Sequence, residues 1–414
     1  MNNKKIYKAS FSQVDITPNF QVELIGGNSC KSQGILDKLF AQILLFENDN
    51  NFFYLITIDN LGLSTQLANT LRTKVASQLN AKISHIMLNF SHTHAAPCPD
   101  SSALNGDLYF HFMCEQIMQC VENAKTRLIP CKGGWSLTTT NIGDNRRDGC
   151  TIVDNRLGAL KLVDSKSRNP IVVILRITAH ANVLMGDNQL ISSDYFGKAR
   201  QVLENYFSCP VMLIQGAAGN IKPTGVDKMH GGNISDIKRI VDILKNSVTE
   251  LYFDIQDIVD IQMLSKEVKH YSDVPTETEA LKISINSEMD ASNWLSECER
   301  LRNAHVKEQF QQSEVQFLKI NNGCLCGVPE EIFCEISLDA AVRTHNPLLF
   351  LNGYTNGCTG YLPTKEEWRK GGFETLYSYL IYFPYHGHVM PFRENTADNI
   401  VELVTNTWGE ISLH

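Results

Sequence analysis

A chain of 414 residues, 43% hydrophobic and 20% charged, can bury a large core, and these proportions exclude a largely disordered protein. Its formal net charge is -8, its pI is near 5.9, and no long Lys/Arg block interrupts the acidic balance. Nucleic acid and anionic membrane are therefore not the expected partners, because both reward clustered positive charge.

In chain order, residues 11–18 alternate apolar and polar and stop at Thr17-Pro18, which reads as an edge strand closed by a turn. Gly26-Gly27 follow, a backbone able to approach another group closely. Residues 39–47 and 52–59 are strand-like and joined by the turn formers Asn48-Asp49-Asn50-Asn51, which predicts a β-hairpin. Leu67, Leu71, Val75 and Leu79 recur every four residues, the stripe of an amphipathic helix that Ser64 can cap. The apolar run Ile86-Met87-Leu88-Asn89-Phe90 reads as a short buried strand that stops at Ser91-His92-Thr93-His94, ahead of Pro97. A second helical stripe, Met113, Ile117, Val121, Ala124 and Leu128, covers 108–128, and His111 reads as an ordinary surface or half-buried residue on it.

Residues 135–140 read as a strand, followed by a polar loop at 142–148 that contains Arg146 and Arg147. Residues 157–163 and 171–177 form another strand pair, and the second ends in Thr178-Ala179-His180. A helix is expected from Asp194 to about Phe207, then a buried strand at 211–214 that breaks into Gln215-Gly216-Ala217-Ala218-Gly219-Asn220-Ile221-Lys222-Pro223. That turn has neither the Walker nor the Rossmann spacing, so it reads as close backbone packing at a site floor. Residues 234–253 read as helical and 256–270 as extended. The polar stretch 274–313, with a helix at 294–305, reads as a peripheral insertion. Strands at 315–320 and 324–328 lead into Pro329-Glu330-Glu331, where a proline and two acids predict a helix start. A strand at 348–352, a polar loop at 353–364, a Gly371-Gly372 turn, Tyr385-His386-Gly387-His388 and a helix at 396–408 complete the chain. No internal repeat or low-complexity linker divides it. The expected fold is one α/β domain over 1–414, with mixed β-sheets flanked by helices.

His92 and His94 lie two apart at a strand end, so one can ligate a metal while the other faces a substrate. The pair alone is a weak signal, because incidental His-x-His pairs are common. His386 and His388 form a rival pair, read as substrate-facing or exposed. Cys324 and Cys326 read as buried strand thiols, and twelve cysteines without a repeating spacing fit reduced thiols. No stretch is apolar enough to span a bilayer, and the basic residues at the start have no apolar run behind them. The expectation is a cytoplasmic protein without stable membrane insertion or a secretory signal.

Taken together and in order, Asp15-Ile16-Thr17-Pro18, Ser91-His92-Thr93-His94-Ala95-Ala96-Pro97, His180 ahead of Ser193-Asp194-Tyr195-Phe196-Gly197, the Gln215 to Pro223 turn, Val328-Pro329-Glu330-Glu331 and Gly360-Tyr361-Leu362-Pro363-Thr364 resemble the neutral/alkaline ceramidase family. The resemblance runs from about Phe11 to about Glu374 and covers the catalytic domain; the family's C-terminal immunoglobulin-like domain is not expected here. It implies a zinc ion held by His92, His180, Glu331 and Tyr361. It also implies His94 as general acid, Tyr361 as an oxyanion donor, and Arg146 holding the oxyanion or a substrate carboxylate. Gly26, Gly27, Gly219, Asn220, Lys222 and Phe373 would bind substrate. Three positions depart from the family: Glu330 stands where Gly is common, Lys222 replaces a serine, and Phe373 replaces a second tyrosine, so no serine nucleophile is inferred. The implied activity is zinc-dependent hydrolysis of an amide in a small-molecule or lipid-like N-acyl substrate by metal-activated water. A smaller N-acyl compound suits a cytosolic chain better than ceramide. A zinc esterase on the same scaffold and a non-catalytic zinc or ligand-binding protein are the alternatives.

Overall fold

The computed structural model describes residues 6–412 other than 25, 27, 28 and 50. Among them a nine-stranded mixed sheet packs on a four-stranded one, and helices cover the outer face of each. Strand alternation produces this layering. In the hairpin Phe40–Asn48/Asn51–Ile58, Ile43, Leu45 and Ile56 pack under the helices Thr65–Leu79 and Gly106–Lys125. Their neighbours Leu44, Phe46 and Leu55 face Leu318, Leu325 and Phe350 of the second sheet. Both faces are buried, which is why these strands read as continuous apolar runs. Outside the second sheet, Ile336, Ala340, Ile400 and Val404 of two helices close the last layer.

Six of the nine strands of the large sheet form two similar units. Each is an antiparallel hairpin, then a helix, then a strand that returns parallel to the hairpin's second arm. The first runs from Phe40–Asn48 through Asn51–Ile58 and Thr65–Leu79 to Ile86–Phe90. The second runs from Arg156–Asp164 through Pro170–Ile177 and Asp194–Phe207 to Val211–Gln215. Ser64 caps the first helix by accepting from the Leu67 N–H, as its position predicts.

Lys8–Asp15 pairs along its whole length with Phe40–Asn48, while only Lys8 and Ala9 also pair with Ile129–Thr139, so residues 11–15 have a strand on one side only. Pro18 lies beyond the ladder, so its missing N–H costs no pairing. Contrary to expectation, no helix begins at Pro329. Glu331–Ile332 is a short strand parallel to Tyr361–Leu362, and the helix starts at Cys334. Glu330 and Glu331 are both buried, each among side-chain partners of its own, so neither acid serves a helix terminus.

Within 274–313, the helices Glu277–Ser287 and Ser292–Asn303 extend the end of a hairpin whose arms, Ile261–Asp273 and Glu308–Ile320, pair throughout. Trp294, Cys298 and Leu301 form a small core there with Leu380 and Val389.

Phe350 is fully buried between the two sheets, with the guanidinium carbons of Arg156 and Arg176 at 5.1 and 5.4 Å from its ring centre. Phe350→Ala is expected to cost about 3–5 kcal/mol. A urea denaturation midpoint within error of the parent would contradict that placement.

Candidate metal centre

Two turns at strand ends present the imidazoles. The strand Ile86–Phe90 ends where Ser91 N–H donates to Ile58 O and His92 N–H to Asn60 O, at 3.0 and 2.9 Å. His92 then takes a left-handed φ of 60°, a strained conformation for a residue with a side chain, and turns the chain so that His92 and His94 face one space. Their ring centres are 5.0 Å apart. His180, three residues past Pro170–Ile177, is held by its N–H to Ile221 O at 2.9 Å, and its ring lies 4.7 Å from that of His92. Ligand atoms of His92, His94 and His180 all fall within 4.8 Å of one another.

The hydrogen bonds fix the tautomers. His92 Nδ1 lies 2.6 Å from Leu61 O, His180 Nδ1 lies 2.7 Å from Ala218 O, and His94 Nδ1 contacts Gly26 O. A carbonyl only accepts, so each Nδ1 carries the proton and each Nε2 of a neutral ring presents a lone pair. The Nε2 atoms of His94 and His180 are buried without a hydrogen-bond partner. Burial, with His92 and His180 beside it, keeps the His94 pKa well below the usual imidazole value. Burial and Arg146 bring that of His180 down to about 4.

Glu331 faces this cluster, its Oε2 lying 3.2 Å from His92 Nε2 and 3.4 Å from His180 Nε2. Burial raises its pKa, and only positive charge on or between the facing His92 and His180 rings brings it well below the usual carboxylate range. Lone pairs thus point at a carboxylate across hydrogen-bond distance, an arrangement that requires a cation or a proton between them. This donor set fits Zn²⁺, which takes imidazole nitrogen and carboxylate oxygen. Glu330, the other acid of the pair, points away: its Oε1 accepts from Ser313 Oγ at 2.5 Å and lies 3.6 Å from His270 Nε2.

Tyr361 stands beside Glu331 across the paired strands. Burial, with Glu331 nearby, keeps its phenol protonated despite Arg146. The Arg146 guanidinium carbon lies 5.2 Å from the Tyr361 ring centre. Its Nη2 donates to Gly219 O at 2.5 Å, its Nε is 3.2 Å from Glu374 Oε1, and its own N–H donates to Asn220 O at 2.9 Å. Arg146 is therefore already paired with an acid, and Glu374 also binds Arg147 at 3.0 Å.

The expected substrate-binding residues divide. A Cβ on Gly26 would lie 2.2 Å from the His94 Cα, and one on Gly219 would lie 2.2 Å from Glu331 O, so both glycines pack directly on the centre. Gly27 lies outside the described residues. Asn220 is turned to the helix Cys334–Arg343, accepting from Cys334 N–H at 2.9 Å and donating to Glu335 at 2.8 Å. Lys222 donates to Val226 O at 2.7 Å and lies 3.6 Å from Asp144; these contacts tie it to surface turns. Phe373 is 41% exposed at the start of a π-helical turn. The rival pair is not exposed: His388 is buried and donates to Met390 O at 2.6 Å, and His386 is half-buried against Tyr379.

Sequence reasoning missed Tyr354 and Glu374. Tyr354 is fully buried at a left-handed φ of 54°. Its hydroxyl donates to Glu331 Oε2 at 3.4 Å and its ring lies 4.4 Å from that of His92. No periodicity marks a lone tyrosine in a polar loop.

Fold and site together describe an α/β protein with a buried cluster of imidazole and carboxylate donors at strand ends. Among solved structures, neutral ceramidase from Pseudomonas aeruginosa is similar to this chain with a TM-score of 0.73 at 14% identity, covering 99% of this chain and 75% of that one. A ceramidase complexed with C2 is similar at the same score and identity, over 98% of this chain and 75% of the other. At that identity the likeness establishes the fold, which is that of the neutral ceramidases. No protein-family model matches the chain, and no curated protein matches it. No helix among the described residues is long and apolar enough to cross a membrane.

In the metal-free protein, burial lowers His388 to about 4 and also lowers His270, as it does His180. The unfolded chain binds these protons below about pH 6.5, so between about pH 6.5 and 4 it takes up more protons than the folded state, and stability falls with pH. Asp194 opposes this, because burial raises its carboxyl to about 7, but it is one acid against six imidazoles, since burial also lowers His85, His94 and His386. The urea midpoint is expected to be lower at pH 5 than at pH 7, each imidazole contributing at most roughly 2 kcal/mol. A higher midpoint at pH 5 would contradict neutral burial of these rings.

Proposed function

We propose that this chain is a zinc-dependent hydrolase that cleaves the amide bond of a small-molecule or lipid-like N-acyl substrate. The observation that carries this reading is the buried Glu331 carboxyl group set 3.2 and 3.4 Å from the Nε2 atoms of His92 and His180. The fold shared with the neutral ceramidases supports the amide bond as the target.

His92, His180 and Glu331 would hold the ion, with Tyr361 beside them. A zinc ion there supplies Lewis acidity and brings the pKa of a water toward about 7. The chain's own groups do the rest. Neutral His94 can accept a proton at Nε2 and return it to the departing amine. Tyr361, protonated, donates its O–H toward the oxyanion, and Arg146 places positive charge behind it. The Tyr354 hydroxyl orients Glu331, as partners behind a metal ligand do. Glu374 neutralises Arg146, which favours an uncharged acyl group over a second carboxylate. Lys222 and Phe373 stand where the family has serine and tyrosine, so the mechanism uses no serine nucleophile.

His180→Ala is expected to lose stoichiometric zinc while the chain remains folded; metal content by atomic absorption at parent levels would contradict the ligand set. His94→Ala should keep its zinc and lose about 10²–10⁴ in kcat on an N-acyl amide. Loss of the ion in that variant would make His94 a ligand rather than a proton carrier. Parent protein with full zinc and no turnover of amides would favour the binding-protein alternative, and turnover of esters alone would favour the esterase.

A further inference from the structure

We infer that Gln215 is a positioning residue for the metal centre, its side-chain amide tying together the two turns that present His92 and His180. The inference rests on the reading that these imidazoles hold a metal. Gln215 ends the buried strand Val211–Gln215 and is itself fully buried. Its Nε2 donates to Ser91 O at 3.1 Å and to Ala179 O at 2.7 Å. These carbonyls belong to the residues immediately before His92 and His180. Two carbonyl acceptors at one end of the amide settle which end carries the nitrogen.

The bridge spans the two units of the large sheet. Ile86–Phe90 pairs with Asn51–Ile58 and Val211–Gln215 pairs with Pro170–Ile177, and no strand ladder joins the two pairs directly among the described residues. Side chains fill that gap. Asn89 Oδ1 accepts from Gln215 N–H at 2.9 Å, and Asn89 Nδ2 donates to Gln215 O at 3.2 Å and to Gly353 O at 3.3 Å. The Asn89 amide thus stands in for a neighbouring strand's peptide, and it also fastens the residue before Tyr354. Tyr195 O–H shares the Ala179 carbonyl at 2.6 Å.

A buried amide is costly unless bonded, and an apolar side chain could fill the same volume. What the amide adds is a fixed separation between two carbonyls, and with it between the imidazoles that follow them. Zinc holds its ligands at short, narrowly defined distances, so a spacing set in this way governs affinity.

Gln215→Met keeps the side-chain length and removes both donors. Val404→Ala, at a buried position of the C-terminal helix, serves as a destabilised control. The measurements are zinc affinity by chelator competition, the absorption spectrum with Co²⁺, and thermal midpoints of the metal-free proteins. Gln215→Met is expected to bind zinc about 10–100-fold more weakly with altered cobalt bands, while Val404→Ala binds as the parent does. If Gln215→Met does not fold, Gln215→Asn, one methylene too short to span both carbonyls, carries the same expectation. Unchanged affinity and spectrum in the glutamine variant would overturn the role, and so would an equal loss in Val404→Ala, which would trace the effect to instability. Parent protein that takes up neither ion would overturn the metal-centre reading itself, and the role of Gln215 with it.

Discussion

The structure depends on one electrostatic constraint: a carboxylate and two imidazole lone pairs are pressed together in a buried space. Left to themselves, these acceptors would turn apart or take up protons. The scaffold prevents the turning. Leu61 O and Ala218 O hold the far side of the His92 and His180 rings, and the short strand pairing with Tyr361–Leu362 holds Glu331 in place. The rigidity lies in backbone carbonyls and strand register, which have few ways to relax.

Each part of the site comes from a different place in the layers. One unit of the large sheet contributes His92 and His94 and the other His180, all just past strand ends, the region where open α/β sheets commonly bind ligands. Glu331, Tyr354 and Tyr361 follow strands of the second sheet, Gly323–Gly327 and Leu349–Asn352. The fold brings four distant stretches to one point because the two sheets stack face to face. A buried Asp59–Arg200 ion pair beside Asn60, whose carbonyl holds His92, secures the first of those stretches.

What could be read in the sequence follows from how local each signal is. The hairpin around Asn48 to Asn51, the Ser64 cap and the helix opening at Asp194 depend on neighbours a few residues away, and the structure has them where the pattern puts them. That Lys8 and Ala9 gain a second neighbour in Ile129–Thr139 depends on which strands flank them, and alternation cannot say. The acids after Pro329 carry a helix-start pattern that the tertiary structure overrides, because a two-residue strand sends Glu331 to the imidazoles and Glu330 to Ser313 and His270. Lys222 and Phe373 could be placed by order in the chain, but where their side chains go is decided by Val226 and by the π-helical turn. Tyr354 had no signal, since its left-handed backbone and buried hydroxyl exist only once the second sheet has formed.

The helices at the far end of the long hairpin have a reach that their peripheral position hides. Trp294 fills the same small core as Leu380 and donates to Val389 O at 2.6 Å, so it braces the helix Tyr379–His386 from behind. From that helix, Tyr379 O–H grips the carbonyl of Tyr361 at 3.1 Å. Trimming this outlying pair would uncover the apolar back of the brace and loosen the phenol from a distance. An appendage that looks dispensable is a mechanical support for the centre.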